Sequence, residues 1–311
     1  MDLVPPRPVS APVAPPQKQK RPIALLVLGI LAIALIAGAI FFYPPLRNSV
    51  QQAWSDFFYP EELAKIRFIA NQNGTSALYA RAGSEFVPYT ITDGALPSET
   101  FASFTEDGAF ASILLFPDGF TVLAIDGAQV HSSVSEKTTV DLSPNKKLLA
   151  FTERTSPSAE LQAVVINPEN KNQTLLGTGF SPFFLDDARV LWFSSEGVML
   201  TELASSSVSI LEKTSARAQP SPVLSPRGNH IAWMDSDGSL QLRRLEGSTL
   251  VQVATYLDVP SDVRLGLGDA GLYTLSASDG GTNVRRYPLE QGESKRIYTF
   301  ETEWNILQLI P

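Results

Sequence analysis

The chain has 311 residues, no cysteine and a formal net charge of −8, which excludes disulfides and thiolate metal sites. Arg7, Lys18, Lys20 and Arg21 against Asp2 give residues 1–22 a net +3, leaving −11 on the remainder. An acidic body of this kind argues against a nucleic-acid or anionic-lipid surface, since both need a basic footprint.

Residues 1–22 hold seven prolines and few large apolar side chains, so they are expected to form a disordered, polyproline-like tail. Pro5-Pro6-Arg7-Pro8 contains a Pro-x-x-Pro spacing that could dock on an aromatic groove, or act only as a solvated spacer. Ile23 to Tyr43 follows, 21 residues without a charge. As a helix it would span roughly 30 Å, the thickness of a bilayer's hydrocarbon core. Phe41, Phe42 and Tyr43 suit an interfacial aromatic belt, and Pro44-Pro45 would stop the helix. Lys18, Lys20 and Arg21 abut the near end, which places the tail in the cytoplasm and the rest of the chain outside. A cleaved signal peptide competes with this reading, because Ala37-Gly38-Ala39 has the small-x-small form of a cleavage site. The apolar run exceeds a usual signal core, which favours an uncleaved anchor. Residues 44–63 then form a juxtamembrane stalk, with Leu46, Val50, Trp54, Phe57 and Phe58 near helical spacing.

Beyond the stalk the pattern changes to strands that recur with a fixed period. Phe151, Trp192, Trp233 and Tyr273 are separated by steps of 41, 41 and 40 residues. A constant period of that size marks one supersecondary unit used repeatedly. The clearest copy begins with Ser221 to Leu224, a short strand, and a turn through Ser225-Pro226-Arg227-Gly228-Asn229. Ile231 to Met234 reads as a buried strand, and Asp235-Ser-Asp-Gly-Ser239 as a hairpin turn. Leu240 to Leu245 and Leu250 to Ala254 complete four antiparallel strands, one propeller blade. Six copies can be traced over residues 64–311, giving an all-β, six-bladed β-propeller behind a single N-terminal transmembrane helix. The first copy lacks an inner strand before Ile66, while the last is followed by an unused strand at 303–310. The leftover strand matches the missing one, so residues 303–310 are expected to close the ring as the innermost strand of the first blade.

Ser-Pro-x-x-x-x-Leu-Ala-Phe at 143–151 and Ser-Pro-x-x-x-x-Ile-Ala-Trp at 225–233 resemble the TolB-type, WD-like propeller repeat. The resemblance spans roughly residues 64–310 and is fullest in these two repeats. It implies a six-bladed, extracytoplasmic, non-enzymatic scaffold that binds other envelope proteins. The membrane helix departs from it, since the periplasmic member of that family is released as a soluble protein.

Catalytic chemistry is thinly represented. His131 and His230 are the two histidines, one in an expected fourth strand and one in a turn, and both read as structural. No zinc-ligand spacing, Gly-x-Ser-x-Gly elbow or phosphate-cradling loop is present, and no cofactor is implied. Asp235-Ser-Asp237-Gly238 lacks the third ligand and distal glutamate of a calcium loop and reads as a hairpin turn. The adjacent pair Asp186-Asp187 reads as solvated turn residues. The leading expectation is therefore a membrane-anchored, non-catalytic scaffold that binds an envelope protein or a glycan through loops on a rigid disk. Its binding surface is expected at the channel mouth lined by fourth-to-first-strand connections, residues 92–99, 134–139, 213–220 and 256–261. Phe180, Phe183 and Phe184 are the candidate partner-binding residues, with inner-strand core packing as the competing reading. Two other readings stay open: a sensor that transmits ligand binding to the tail, and a propeller hydrolase or lyase acting on extracellular glycans or peptides.

Overall fold

The computed structural model describes residues 67–310 apart from 73–74, 83–84, 89–97, 258, 261, 269, 291 and 301–303. The Pro-rich tail, the expected membrane helix and the stalk lie outside the described residues. Among the described residues no helix is long and apolar enough to cross a membrane.

Among the described residues all regular structure is β, arranged as six four-stranded antiparallel sheets in the manner of a propeller. Blade 1 takes β1 (Arg67–Gln72), β2 (Thr75–Ala82) and β3 (Glu85–Pro88). Blade 2 is β4 (Ser98–Phe104), β5 (Phe110–Leu115), β6 (Thr121–Ile125) and β7 (Ala128–Ser133). Blade 3 is β8 (Glu136–Leu142), β9 (Leu149–Arg154), β10 (Gln162–Ile166) and β11 (Gln173–Thr178). Blade 4 is β12 (Phe180–Phe184), β13 (Arg189–Ser194), β14 (Gly197–Glu202) and β15 (Ser207–Glu212). Blade 5 is β16 (Val223–Leu224), β17 (His230–Met234), β18 (Leu240–Glu246) and β19 (Thr249–Tyr256). Blade 6 is β20 (Arg264–Gly268), β21 (Gly271–Ser278), β22 (Gly281–Tyr287) and β23 (Lys295–Phe300). The last strand, β24 (Asn305–Ile310), pairs with β1 and completes blade 1. The six-bladed architecture and the closing strand both match the sequence expectation.

The Ser-Pro signature has a local physical cause. Ser143 Oγ donates to Asn145 Oδ1 at 2.9 Å and accepts from the Leu148 amide at 3.0 Å. In blade 5 Ser225 Oγ donates to Asn229 Oδ1 at 2.9 Å and accepts from the His230 amide at 3.0 Å. One hydroxyl thus ties each end of the hairpin between first and second strands, and Gly228 supplies the positive φ of 68° that the turn needs. Blade 4 lacks the serine at this place. There Asp186 Oδ1 accepts from the Ala188 and Arg189 amides at 2.9 and 2.8 Å.

Hydrophobic burial is divided among the seams between blades. Phe151 packs in the seam of blades 2 and 3, Trp192 in that of 3 and 4, and Trp233 in that of 4 and 5. Tyr273 fills the seam of blades 6 and 1. The register residues of the repeat are therefore seam fillers on second strands, and each is at most 3 % exposed. Burying an aromatic side chain of this size is worth roughly 1.5–3 kcal/mol. Space around Trp192 is so tight that a Cβ on Gly179 would fall 2.7 Å from its ring, which explains a glycine where β11 leads into β12.

The closing seam is richest in aromatics. Phe68 packs edge-on against Phe86 and Phe300, both at 4.8 Å, and against Trp304 at 5.4 Å. Tyr79 meets Trp304 at 5.0 Å. Aromatic pairs of this geometry add about 0.5–1.5 kcal/mol each beyond burial. A polar clasp joins the same strand to blade 2: Gln308 Oε1 accepts from the Ala102 amide at 2.9 Å, and Gln308 Nε2 donates to Ala102 O at 2.8 Å. A side chain here pairs with a backbone edge as a neighbouring strand would.

Two outcomes are expected. Deleting residues 303–311 removes the inner strand of blade 1 and should leave the chain aggregated or without a cooperative thermal transition; a truncated protein melting at the wild-type temperature would refute the latch. Phe68→Ala should lower unfolding free energy by about 3–5 kcal/mol in denaturant titrations, because it empties a fully buried site in the closing seam.

Candidate functional site

First strands of the six blades surround the axis, and their C-terminal ends enclose a cavity of about 470 Å³. Residues of the first-to-second-strand hairpins, among them Thr105, Pro144 and Pro226, contribute to its lining. Those hairpins are at the opposite end of the channel from the fourth-to-first-strand connections. The sequence expectation located the binding surface at those connections; this cavity lies at the other end of the first strands. The connections themselves present Val134 and Leu257, 75 % and 74 % exposed, on different sides of the ring. Arg67 pairs with Ile310, so the polypeptide enters blade 1 on the cavity side.

The lining is mixed: Leu142, Leu224, Leu267 and Ile310 give it apolar surface, Ser103, Thr105, Ser225 and Gln308 are polar, and Glu106, Asp107 and Arg227 are charged. Asp107 is engaged by Lys146 at 2.6 Å, which holds its carboxyl down at about 2. Inside the rim lies one more carboxylate, Asp141, the penultimate residue of β8. It is partly exposed to the cavity, and desolvation by the surrounding protein pushes its pKa up to about 6 against the pull of its hydrogen-bonding neighbours Phe184, Ser103 and Leu142. Asp141 Oδ2 accepts from the Phe184 amide at 2.8 Å, a bond that crosses from blade 3 to blade 4. No described cation lies within ion-pair distance of it. Ser103 Oγ, also in the cavity wall, is buried without a hydrogen-bond partner at good geometry; it is near enough to Asp141 only to lower its pKa slightly.

The three candidate phenylalanines do not form one patch. Phe184 turns into the seam with blade 3, whereas Phe180 and Phe183 turn into the seam with blade 5. A register shift between Phe180 and Phe183, with Ser181 at a φ of 49°, puts those two on the same side. Phe180 stacks on Phe193 at 5.7 Å. Phe183 and Phe184 are 7 % and 5 % exposed and reach the cavity with little of their surface.

His131 and His230 are likewise separated, one on β7 of blade 2 and the other at the start of β17 in blade 5. His131 lies over Phe151 at 6.3 Å, and burial, aided by nearby Lys137, lowers its pKa. Lys137 is itself buried and donates to Ser133 Oγ, to Ser135 Oγ at 2.8 Å and to Glu153 Oε1 at 3.3 Å. This network is closed on itself within the seam. Asp235 and Asp237 are spent on local bonds: Asp235 Oδ1 accepts from Thr214 Oγ1 at 2.6 Å, and Asp237 Oδ1 from the Ser239 amide at 2.8 Å. Asp187 Oδ1 accepts from the Asn145 amide of blade 3 at 2.9 Å. Among the described residues no group of three or more histidines and carboxylates could hold a metal ion.

Sequence reasoning missed Asp141, Ser103 and Gln308. A signal was present for two of them. Asp141 precedes Leu142-Ser-Pro where blade 5 has Val223 before Leu224-Ser-Pro, and Gln308 interrupts the apolar run Ile306 to Ile310. In both cases the polar residue at an otherwise apolar inner-strand position bonds to the backbone of the next blade.

No family model and no curated protein sequence matches the chain. At the level of solved structures 1183 chains match, so this architecture by itself selects no ligand. TolB from Acinetobacter baumannii superposes with a TM-score of 0.61 at 12 % identity, over 85 % of this chain and 72 % of that one. A chain of a nidogen/laminin complex gives 0.53 at 9 % identity, over 79 % and 97 %. In fold, the chain is a TolB-type six-bladed β-propeller.

Proposed function

We propose that this chain is a non-catalytic, protein-binding scaffold of the cell envelope, tethered by residues 23–43 and engaging its partner on the cavity side. The observation that carries the reading is the cavity itself: a preformed recess at the axis of the ring. A chain with a similar fold comes from a nidogen/laminin complex, a precedent for protein binding by such a ring. The uncharged run 23–43 and the basic residues before it support a cytoplasmic N-terminus and an extracytoplasmic propeller.

Photo-crosslinking in intact cells tests the partner and the side together. A crosslinker at Glu106 or Arg227 should yield one dominant adduct, and one at Val134 or Leu257 should not. Adducts only from the latter pair would move the interface to the opposite end, and no adduct from any position would remove the scaffold reading. Because the chain has no native cysteine, single-cysteine variants report topology cleanly. In intact cells an impermeant maleimide should label Ser156→Cys and leave Ser10→Cys unmodified; the reverse pattern would overturn the orientation.

A further inference from the structure

Asp141 stands apart from the other acids of the cavity side. Asp107 is neutralised by Lys146 at 2.6 Å, and Glu106 is exposed on the rim, where water solvates it. Asp141 is set inside the recess and holds a single hydrogen bond, from the Phe184 amide at 2.8 Å. An ionised carboxylate offers about four acceptor sites, so most of its capacity is unused. Ser103 Oγ lies in the same wall beside Asp141, whose pKa it lowers, and makes no hydrogen bond of good geometry. A carboxylate on the wall of a recess without a counter-charge attracts a cation that can enter it.

The type of cation follows from the donor set and the walls. Calcium and magnesium take six or more oxygen ligands, and among the described residues no group of three or more histidines and carboxylates could hold a metal ion. A guanidinium would bring five planar donors to two acceptor groups and leave several unsatisfied. An alkylammonium has three donors on a compact head and an aliphatic stem that suits the apolar side chains of Leu142, Leu224 and Leu267. We infer that the cavity is an alkylammonium subsite, in which Asp141 and Ser103 accept from the ammonium and those apolar side chains hold its stem. Under the scaffold reading, on which only this assignment of source rests, the group is a lysine side chain of the protein partner. The alternative source is a free amine.

The test uses the full-length protein in detergent and n-butylammonium as the probe, followed by saturation-transfer NMR. Wild-type protein should bind it, and Asp141→Asn should bind roughly tenfold more weakly or less, as expected for loss of a charge-assisted hydrogen bond. Ser103→Ala should weaken binding by a smaller factor, and Glu106→Gln should leave it unchanged. Tetramethylammonium, which has no N–H, and n-butanol, which has no charge, should not compete. A measurement on unmodified protein stands beside the variants: affinity should fall as pH drops from about 7.5 to about 5, because Asp141 takes up a proton near 6. The other ionisable groups around the recess are Asp107 with its Lys146, Glu106, Arg227, and Arg264, whose guanidinium donates to Ile306 O. Of these Asp107 titrates near 2, outside that window. Binding of n-butylammonium that is equal in wild type and Asp141→Asn, or absent from wild type, overturns the inference. If the cellular crosslink adduct disappears in Asp141→Asn, the ammonium is the partner's lysine; if the adduct persists while n-butylammonium binding is lost, the site serves free amines. Absence of any adduct with n-butylammonium binding intact would break the scaffold reading alone.

A stability measurement checks the state of Asp141 separately. Its folded pKa, about 6, lies above the ordinary 3.8, so the folded protein holds this proton more tightly than the unfolded chain. Stability from this group is therefore greatest below about pH 4 and declines as pH rises through 6. The total decline is roughly a hundredfold in the folding equilibrium, or about 3 kcal/mol. An asparagine side chain cannot titrate, so Asp141→Asn should flatten that part of the profile and melt higher than wild type at pH 7. Parallel pH profiles for the two proteins would show that Asp141 is not held in a low-polarity site.

Discussion

Strand Asn305–Ile310 hydrogen-bonds to Arg67–Asn71 from the opposite end of the chain, and every other contact in the ring presupposes that pairing. Without it blade 1 would have three strands, and its first described strand would expose a free edge toward the axis. The closing seam is built to resist opening. It gathers Phe68, Tyr79, Phe86, Phe300 and Trp304 into mutual edge-to-face contact, more ring-on-ring packing than any other described seam shows. The Gln308 clasp then carries the closure one blade further, to Ala102. Long sequence separation makes this pairing costly in loop entropy, and the aromatic cluster offsets that cost.

Dividing the core into seams has a consequence at the axis. Side chains of each inner strand turn to one neighbour blade or the other, as Phe183 and Phe184 do, so few are left to fill the channel. The recess is thus a by-product of how four-stranded sheets pack in a ring, and its walls are inner-strand ends and hairpins. That makes its shape rigid, since each wall residue is fixed by a seam. It also makes the few polar groups in it informative. Backbone geometry there is common to the repeats, so Asp141 and Ser103 are choices of this particular chain.

Asp141 also shows how local and long-range roles meet in one residue. Its bond to the Phe184 amide joins blades 3 and 4, while its remaining oxygen capacity opens to the recess. A neutral acceptor would serve the first role as well without the cost of a desolvated charge. Lys137 presents the contrasting arrangement. It is buried too, but Glu153 and two serine hydroxyls satisfy it within its own seam. A closed network of that kind holds blades together and leaves nothing over for a ligand.

Much of the fold was readable from residues whose constraint is local. The 41-residue step, the Ser-Pro turn and the Asp-Gly hairpin each depend on neighbours within one blade, so blade number, strand order and the closing strand could be placed from the sequence. The turn roles of Asp186 and Asp237 were legible for the same reason. Neither the end at which the cavity lies nor the residues that meet across it could be read this way. Asp141 and Ser103 come from different blades, and Gln308 reaches Ala102 across 206 residues of sequence. Such neighbours are set by ring closure, which acts between blades, whereas sequence periodicity records only what happens within one.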